Sequence, residues 1–516
     1  MYNYRMTTTP KPHYSLRQPP YRSGQRAGRD GFAQVLHAEW TKFRTVRGWV
    51  AGLVAAPLMV VAVAVLAGIS SDQHGGPTVP VGPGGEPVTD RFYFVHRPLA
   101  GNGSITVSVS ALRTYRPRDL RPATVPWAKA GLIIKASIGQ GSPYAAIMVT
   151  SGHGVRMQYD YVNDMAGLPG PVSAVSPRWL RLDRSGDAVT GYDSADGTHW
   201  ITVGTVHVAG LGPAVQGGLF VASPDSVHGF STSTSVATAA FGDVGIQGSW
   251  PVGNWIGDQL GAGSSADGHP AYDPGTFAES GGEFTVTGTG DIAPAVLLGG
   301  GTIGVILTGA FAALIAVIVV GTRFITAEYQ DGMIRVTLAA SPRRARVLVA
   351  KAIVLGAVAF IAGLAGAAVA IPLGERLARA NGVYIFPVTS ATELRVELGI
   401  ALLLATAAIL ALAIGTMVRR GTGAVTTVIA AIVLPYFLVT QIPFIPASVT
   451  DWLTRVTPVA ALAVQQTLVP YNQVTSLYTP YNGYYPLAPW AGFAVLACYA
   501  VVSLAVAAVL LRRRDA

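Results

Sequence analysis

A polytopic α-helical membrane protein with a large all-β insert is the fold class the sequence predicts, and three observations predict it. The chain has only 12% charged residues and 60 glycines, with a mean hydropathy of +0.42; an ordinary soluble domain carries about 25% charged residues. Six stretches contain no Asp, Glu, Lys or Arg and are long enough to cross a hydrocarbon core of about 30 Å, which takes about 20 apolar residues of helix. Between the first two, residues 72–294 replace apolar runs with alternation, recurring turn residues and much Gly, Ser, Thr and Val.

Residues 1–30 form a basic tail without apolar period, expected to be disordered and suited to anionic lipid. In 31–47, Phe32, Val35, Leu36, Trp40, Phe43 and Val46 recur at helical spacing, as in a helix lying in the membrane interface with its tryptophan at headgroup depth. A plain cytoplasmic extension of the first span fits the same pattern. Span one, 48–71, is too long for the apolar core of a signal peptide and is expected to remain as an anchor. The remaining segments are expected as span two 295–322, a loop 323–351, span three 352–374, an external loop 375–397, span four 398–418 and span five 421–441. Residues 442–487, rich in proline, read as external or re-entrant helices, followed by span six 488–511 and a tail 512–516.

Basic residues flanking short loops stay on the cytoplasmic side. Lys42, Arg44 and Arg47, then Arg323, Arg335, Arg343, Arg344 and Arg346, then Arg419 and Arg420, and finally residues 512–514 all fall on one side if six spans alternate. Both termini are then cytoplasmic, the protein is a multi-pass protein of the plasma membrane, and 72–294 lies outside. Arg376, Arg379 and Arg395 fall on the outer side, among Glu375, Glu393 and Glu397.

Strands are expected at 104–110, 131–135, 145–150, 155–161, 179–184, 189–192, 198–203, 218–222 and 237–244, with a hairpin turn at 184–187. So many short antiparallel strands imply a two-sheet sandwich or jelly roll. Residues 249–293 either add a strand or form the stalk onto span two. The carboxylate pair a glycosidase needs is missing, and Asp183, Asp187, Asp193 and Asp196 lie mostly at turns, where they satisfy backbone N–H groups. Asp193, Asp196 and Gly197 lack a full calcium ligand set, so no metal is expected. Trp127, Trp179, Trp200 and Tyr159, with Tyr161, are candidates for stacking on a sugar, although aromatics in a sandwich more often serve as core. The strand rhythm of WAKAGLIIK, YAAIMVT, VRMQYDY and GGLFVAS resembles the concanavalin-A-like and laminin-G-like jelly rolls, which implies an extracellular glycan or protein ligand. Cys498 is the one cysteine, so no intramolecular disulfide forms.

The sequence has no phosphate-binding loop, no nucleophile elbow and no metal cluster at ligand spacing. No catalytic residue, no cofactor and no nucleic-acid partner are expected. Chemistry-bearing residues concentrate instead in ITAEYQDGMIRVTLAASPRRARVLVAK, within 323–351 and its approach. This run resembles the loop after the second span of type-2 ABC exporter permeases, and the expected spans extend the resemblance over the membrane part. The resemblance implies a coupling helix that docks in a separate ATPase subunit, which binds the ATP and magnesium. It also implies a second permease copy, identical or related. Carried over by position, Glu328, Tyr329, Gly332, Arg335, Thr337, Ser341, Pro342, Arg343 and Arg344 form or orient the contact. Met333, Ile334 and Leu338 give it an apolar stripe. Gln330-Asp331 stands where many relatives have a basic or small polar residue. Anchoring of span ends alone would explain Arg343, Arg344 and Arg346 but not the Glu-Tyr-x-x-Gly-x-Ile-Arg run before them.

Small residues at Gly300-x-x-x-Gly304 and Ala362-x-x-x-Gly366 permit close helix packing. With no charge inside the six stretches, a relay of buried charges across the bilayer is not expected, and an apolar path suits a hydrophobic or amphipathic cargo. The function expected is therefore that of a permease subunit of an ATP-driven exporter. The alternative is a membrane-anchored protein that binds or senses an extracytoplasmic glycan or protein, for which one anchor would suffice.

Overall fold

The computed structural model describes residues 31–71, 79–116, 121–228, 231–261, 275–295, 300–340, 343–442, 445, 447–467, 471–474 and 484–513. The tail 1–30, together with Ser341 and Pro342, lies outside the described residues, as does the side chain of Leu338. In chain order the helices are α1 Phe32–Thr45, α2 Arg47–Ser70, α3 Ile303–Ile306, α4 Ala310–Gln330, α5 Met333–Ala340 and α6 Arg344–Ala380. They continue as α7 Ser390–Val418, α8 Gly421–Gln441, α9 Ala447–Val456 and α10 Pro489–Arg513. Among the described residues, six helices are long and apolar enough to cross a membrane: Arg47–Ser70, Ile303–Gln330, Arg344–Ala380, Ser390–Val418, Gly421–Thr440 and Pro489–Arg513.

Helix ends differ from the expected spans in one systematic way. The helix of span two starts at Ile303 and runs on past Thr322 to Gln330, and α6 starts at Arg344 and continues past Gly374 to Ala380. At 1.5 Å per residue, the 37 residues of α6 reach about 55 Å, well beyond the hydrocarbon thickness. The expected loop 323–351 is thus almost wholly helical. Arg, Glu, Gln and Ala end a hydropathy run without disfavouring helix. What ends α4 is Gly332, at φ +71, the left-handed conformation glycine supplies just past a helix C-cap.

α7 is the most enclosed of the six, packed against α4, α6, α8 and α10. Glycines let its neighbours approach: a Cβ on Gly363 would lie 2.8 Å from Ala401 Cα, and one on Gly366 3.1 Å from Pro57 Cα of α2. Gly366 therefore does the close-packing work expected of it. Gly300 does not, because it pairs in a two-residue parallel strand with Tyr384 while Gly304 sits in α3. A Cβ on Gly321 would meet the Ala408 carbonyl oxygen at 2.7 Å. Gly321→Ala should therefore force α4 off α7 and cost about 1–3 kcal/mol, read as a lowered thermal midpoint in detergent.

Successive helices alternate in direction. One end of the bundle gathers Lys42, Glu328, Lys351 and Arg419, with Arg344 Nη1 donating to the Leu511 carbonyl at 2.9 Å. At the other end, Asn381 Nδ2 donates to the Gly68 carbonyl (2.6 Å) and Arg395 Nη2 to that of Gln466 (2.6 Å). There the segment after α8 supplies α9 and a 3-10 helix, Pro458–Gln465, on which α10 packs.

The β insert joins this second end and is a sandwich of two seven-stranded sheets. One orders its strands Ile201–His207, Ala188–Ser194, Arg178–Ser185, Gly103–Tyr115, Val236–Gly248, Glu283–Gly288 and Thr276–Ser280. The other runs Ile256–Leu260, Phe92–Ala100, Ala214–Ala222, Lys129–Lys135, Tyr144–Thr150, Gly154–Tyr159 and Asn163–Ala166. Period-two alternation sends Ile105, Val107, Leu132, Ile134, Leu180, Leu182 and Phe241 into the core between them. The hairpin at 184–187 forms, with Ser185 opposite Ala188 and Gly186 at φ +66.

Expected strand 155–161 stops at Tyr159, since Asp160 and Tyr161 turn with positive φ. Expected strand 198–203 begins only at Ile201, because Asp196 holds the preceding turn by accepting from Thr198 N and His199 N. Phe92–Ala100 escapes a period-two reading because both its faces are largely buried and it carries Pro98. Residues 249–293 supply three further strands, Ile256–Leu260, Thr276–Ser280 and Glu283–Gly288. Ile292–Pro294 then pairs with Val88–Asp90, so entry and exit of the insert form one two-stranded stem.

Candidate functional site

At the arginine-rich end, three helices distant in sequence meet around one ammonium. α1 turns Glu39 and Phe43, one helical turn apart, toward the bundle, and both are buried. The last turns of α4 place Phe324 and Glu328 on one buried face, and the second turn of α6 buries Lys351 among Val347, Leu348 and Ala350. Lys351 Nζ donates to Glu39 Oε2 at 2.6 Å and to Glu328 Oε1 at 2.7 Å, and lies 4.5 Å from the centre of the Phe324 ring. Lys42 closes the group from the solvent side, its Nζ donating to Glu39 Oε1 (3.0 Å), Glu328 Oε1 (3.1 Å) and Thr337 Oγ1 (3.1 Å) of α5. Two carboxylates face two ammoniums, so the buried charge balances. Among the described residues, Glu328 Oε2 has no hydrogen-bond partner.

Lys42 is 35% exposed along its side chain. Burial works against its charge, but the carboxylates of Glu328 and then Glu39 outweigh burial and hold its pKa above the ordinary 10.5. A raised lysine pKa gives stability that is fully present below the unfolded value and is lost as pH rises through the folded one. α1 should therefore stay docked from neutral pH up to 10.5 and loosen only above it, which hydrogen exchange of α1 amides across that range would read.

The helices are longer than the charge-free stretches and bury charge beyond them: Glu328 and Lys351 lie inside α4 and α6. Glu328 faces inward and ties α4 to α1 and α6. The signal that would have found the cluster was Glu39, a lone carboxylate one turn before Phe43 on an otherwise apolar face.

The other loop residues spread over α4, α5 and α6. Tyr329 is half-buried, with Arg419 Cζ 5.2 Å from its ring centre. Gly332 makes the turn, Arg335 is exposed, Thr337 is held by Lys42, Arg343 is exposed and Arg344 caps the end of α10. Of the expected stripe Met333, Ile334 and Leu338, the first two are described and face different ways. Ile334 is buried against the bundle, while Met333 is 49% and Val336 72% exposed. Among the described side chains of α5, the apolar ones presented outward are thus Met333 and Val336, beside Arg335; Val336 was not among the expected residues. On α1, Phe43 stacks on Trp49 and meets Phe324 edge-on, Leu36 packs partly on the bundle, and Phe32 and Trp40 remain exposed.

In the β insert the aromatic candidates do not form one platform. Trp127 is buried and stacks on His153 at 4.1 Å, so it has no free face for a sugar. Tyr161 is buried too, and Tyr159 packs against the sandwich core. Trp179 lies over the Gly197 turn and is half-buried, as is Trp200. Asp196 has the turn role the sequence suggested, accepting from Thr198 N and His199 N, each at 2.8 Å, and Asp187 also lies at a turn. Asp183 and Asp193 do not, since they lie within strands, where Asp183 pairs with Arg181 and Asp193 accepts from Leu168 N at 2.8 Å. Among the described residues, no group of three or more His, Cys, Asp or Glu side chains is arranged to hold a metal ion.

Comparison with solved structures finds a Saccharomyces cerevisiae protein described as functionally unknown, 13% identical over 31% of this chain and 76% of that one, with a TM-score of 0.21. Scytalido-glutamic peptidase with a transition-state analogue inhibitor is 6% identical over 38% of this chain and 98% of its own, at a TM-score of 0.24. A mutant GH43 protein from Bacillus licheniformis is 14% identical over 26% of each chain, at 0.18. No curated protein matches the chain. The model of the family described as ABC-2 family transporter protein matches residues 151–516, which take in five of the six span-capable helices and, of the buried ion cluster, Glu328 and Lys351 but not Glu39 or Lys42. The chain belongs to the ABC-2 transporter family.

Proposed function

We propose that this chain is the permease subunit of an ATP-driven exporter, with α5 as the element that docks on a separate ATPase subunit. The observation that carries this reading is the position of α5. It presents Met333, Val336 and Arg335 outward at the arginine-rich end, while its Thr337 is tied through Lys42 to Glu39 and Glu328. A push on α5 is thereby delivered to α1 and α4 together, and through Lys351 to α6. ATP and magnesium belong to the partner in this reading, and a second permease copy, identical or related, completes the path.

The positive-inside rule puts the arginine-rich end in the cytoplasm and the β sandwich outside the plasma membrane. Exposed Phe32 and Trp40 on α1 suit a helix at the lipid interface. The charge-free middle of the bundle suits a hydrophobic or amphipathic cargo. The test is co-expression with candidate ATPase subunits, purification in nanodiscs and measurement of ATP hydrolysis. Recovery of an ATPase whose turnover depends on the permease is the expected result. Failure of every subunit to co-purify, or turnover indifferent to the permease, overturns it.

A further inference from the structure

The outer face of the sheet containing Lys129–Lys135 is covered, although one face of an antiparallel sheet is commonly solvated. All seven residues of that strand are buried. Ala130, Leu132 and Ile134 enter the sandwich core, and Ile133 packs on the far side with Phe92, Phe94 and Tyr144. On that far side two fully buried lysines grip the stem. Lys135 Nζ donates to Asp90 Oδ2 (2.8 Å), and Lys129 Nζ lies 2.7 Å from Asp291 Oδ1 and donates to the Ile292 carbonyl (2.8 Å). Asp90 closes the entering strand and Asp291 precedes the leaving one, so both chain connections to the membrane part are fixed to the same strand.

A third attachment lies off the chain path. Asp160 and Tyr161, at φ +45 and +63, form the turn between Gly154–Tyr159 and Asn163–Ala166. The Tyr161 hydroxyl donates to Asp90 Oδ2 at 2.7 Å, which locks the turn to the stem. Its carbonyl accepts from Nε2 of Gln473 at 2.7 Å, and Gln473 is buried. Asn472 Nδ2 approaches Asp164 Oδ2 of the adjacent strand at 3.4 Å. Gln473 belongs to the segment between the 3-10 helix Pro458–Gln465 and α10. Two adjacent strands alone would leave the sandwich free to rock about its stem. A third contact, to the segment of chain between the 3-10 helix and α10, restricts that freedom.

We propose that the Tyr161 turn is a latch that fastens residues 471–474, on the approach to α10, to the β sandwich, so that the sandwich and the outer end of the bundle move as one body. The inference does not depend on ATP coupling or cargo. Tyr161 is the joint of the arrangement, with its side chain on the stem and its backbone on the latch. Gln473→Met keeps the shape of the side chain and removes the bond.

The test uses the full chain in nanodiscs with Cys498→Ser. Nitroxides are placed at exposed Ser185→Cys of the sandwich and exposed Arg455→Cys of α9, and the distance distribution is measured by pulsed electron resonance. One narrow distribution is expected, broadened by Gln473→Met. In parallel, amides of 471–474 should exchange about tenfold faster in the variant while those of the central strand Lys129–Lys135 keep their protection, which separates loss of the latch from loss of the fold. A broad distribution in the parent chain overturns the proposal, as does a variant with an unchanged distribution and unchanged exchange.

Discussion

Lys351→Met is expected to destabilise the membrane part by about 3–5 kcal/mol, the cost of leaving buried charges without their partner. The size follows from position. Lys351 is fully buried and, among the described residues, joins Glu39 Oε2 to Glu328 Oε1 from within the bundle. Without it, two carboxylates face each other in a low-dielectric site with only the half-solvated Lys42 between them. The measurement is the thermal or denaturant midpoint of the chain in detergent, with Glu39→Gln/Lys351→Met as its control. Removing one carboxylate's charge as well should recover part of the loss, and the cycle then reports the coupling of the pair. Lys42→Met should cost clearly less, since Lys42 is partly solvated and its contacts are screened. Equal losses for the two lysines would mean that the cluster is not organised around Lys351.

Met333→Asp with Val336→Asp is expected to weaken capture of the ATPase subunit at least about tenfold, 1.4 kcal/mol per factor of ten, while leaving the thermal midpoint of the permease near that of the parent. Both side chains point away from the bundle, so the fold does not need them. A docking face built on two apolar side chains beside Arg335 tolerates carboxylates poorly, because they must be desolvated on contact. Ile334→Asp is the contrasting variant: buried against the bundle, it should lower stability first. If the double variant binds the ATPase as the parent does, α5 is not the docking element. If Ile334→Asp alone abolishes binding with the fold intact, the face has been assigned to the wrong side of α5.

The run from Glu328 to Arg344 was legible as a special segment because its composition breaks between two apolar stretches. Its geometry was not, and Ile334 and Val336 show why. A helix of eight residues can be rotated on its axis without altering its sequence pattern, and only the neighbour that covers one side decides which residues point out. Lys42 decides it here, by holding Thr337 toward α1. Helix ends were misplaced for a related reason: hydropathy marks where lipid contact ends, whereas backbone hydrogen bonding continues through Glu328 and back to Arg344, with Gly332 ending α4 and Arg343 standing outside helical geometry before α6. In the insert, alternating strands such as Arg178–Ser185 were legible, while Phe92–Ala100 and Tyr161 were not, because the stem strands Val88–Asp90 and Ile292–Pro294 and the Tyr161 turn pack on a face that the period-two rule leaves to water.

The sequence by itself determined the number of long apolar helices, the position of the β insert between the first two of them, and the gathering of arginines at their alternate ends. These follow from the cost of exposing apolar surface to water and charge to lipid, which acts on each segment separately. Only the tertiary structure decided that Glu39, Glu328 and Lys351 share one buried site, and that Tyr161 meets Gln473 across 312 residues of chain. Such contacts depend on which helix faces and which strand edges are brought together, and no local pattern encodes a partner so far along the chain.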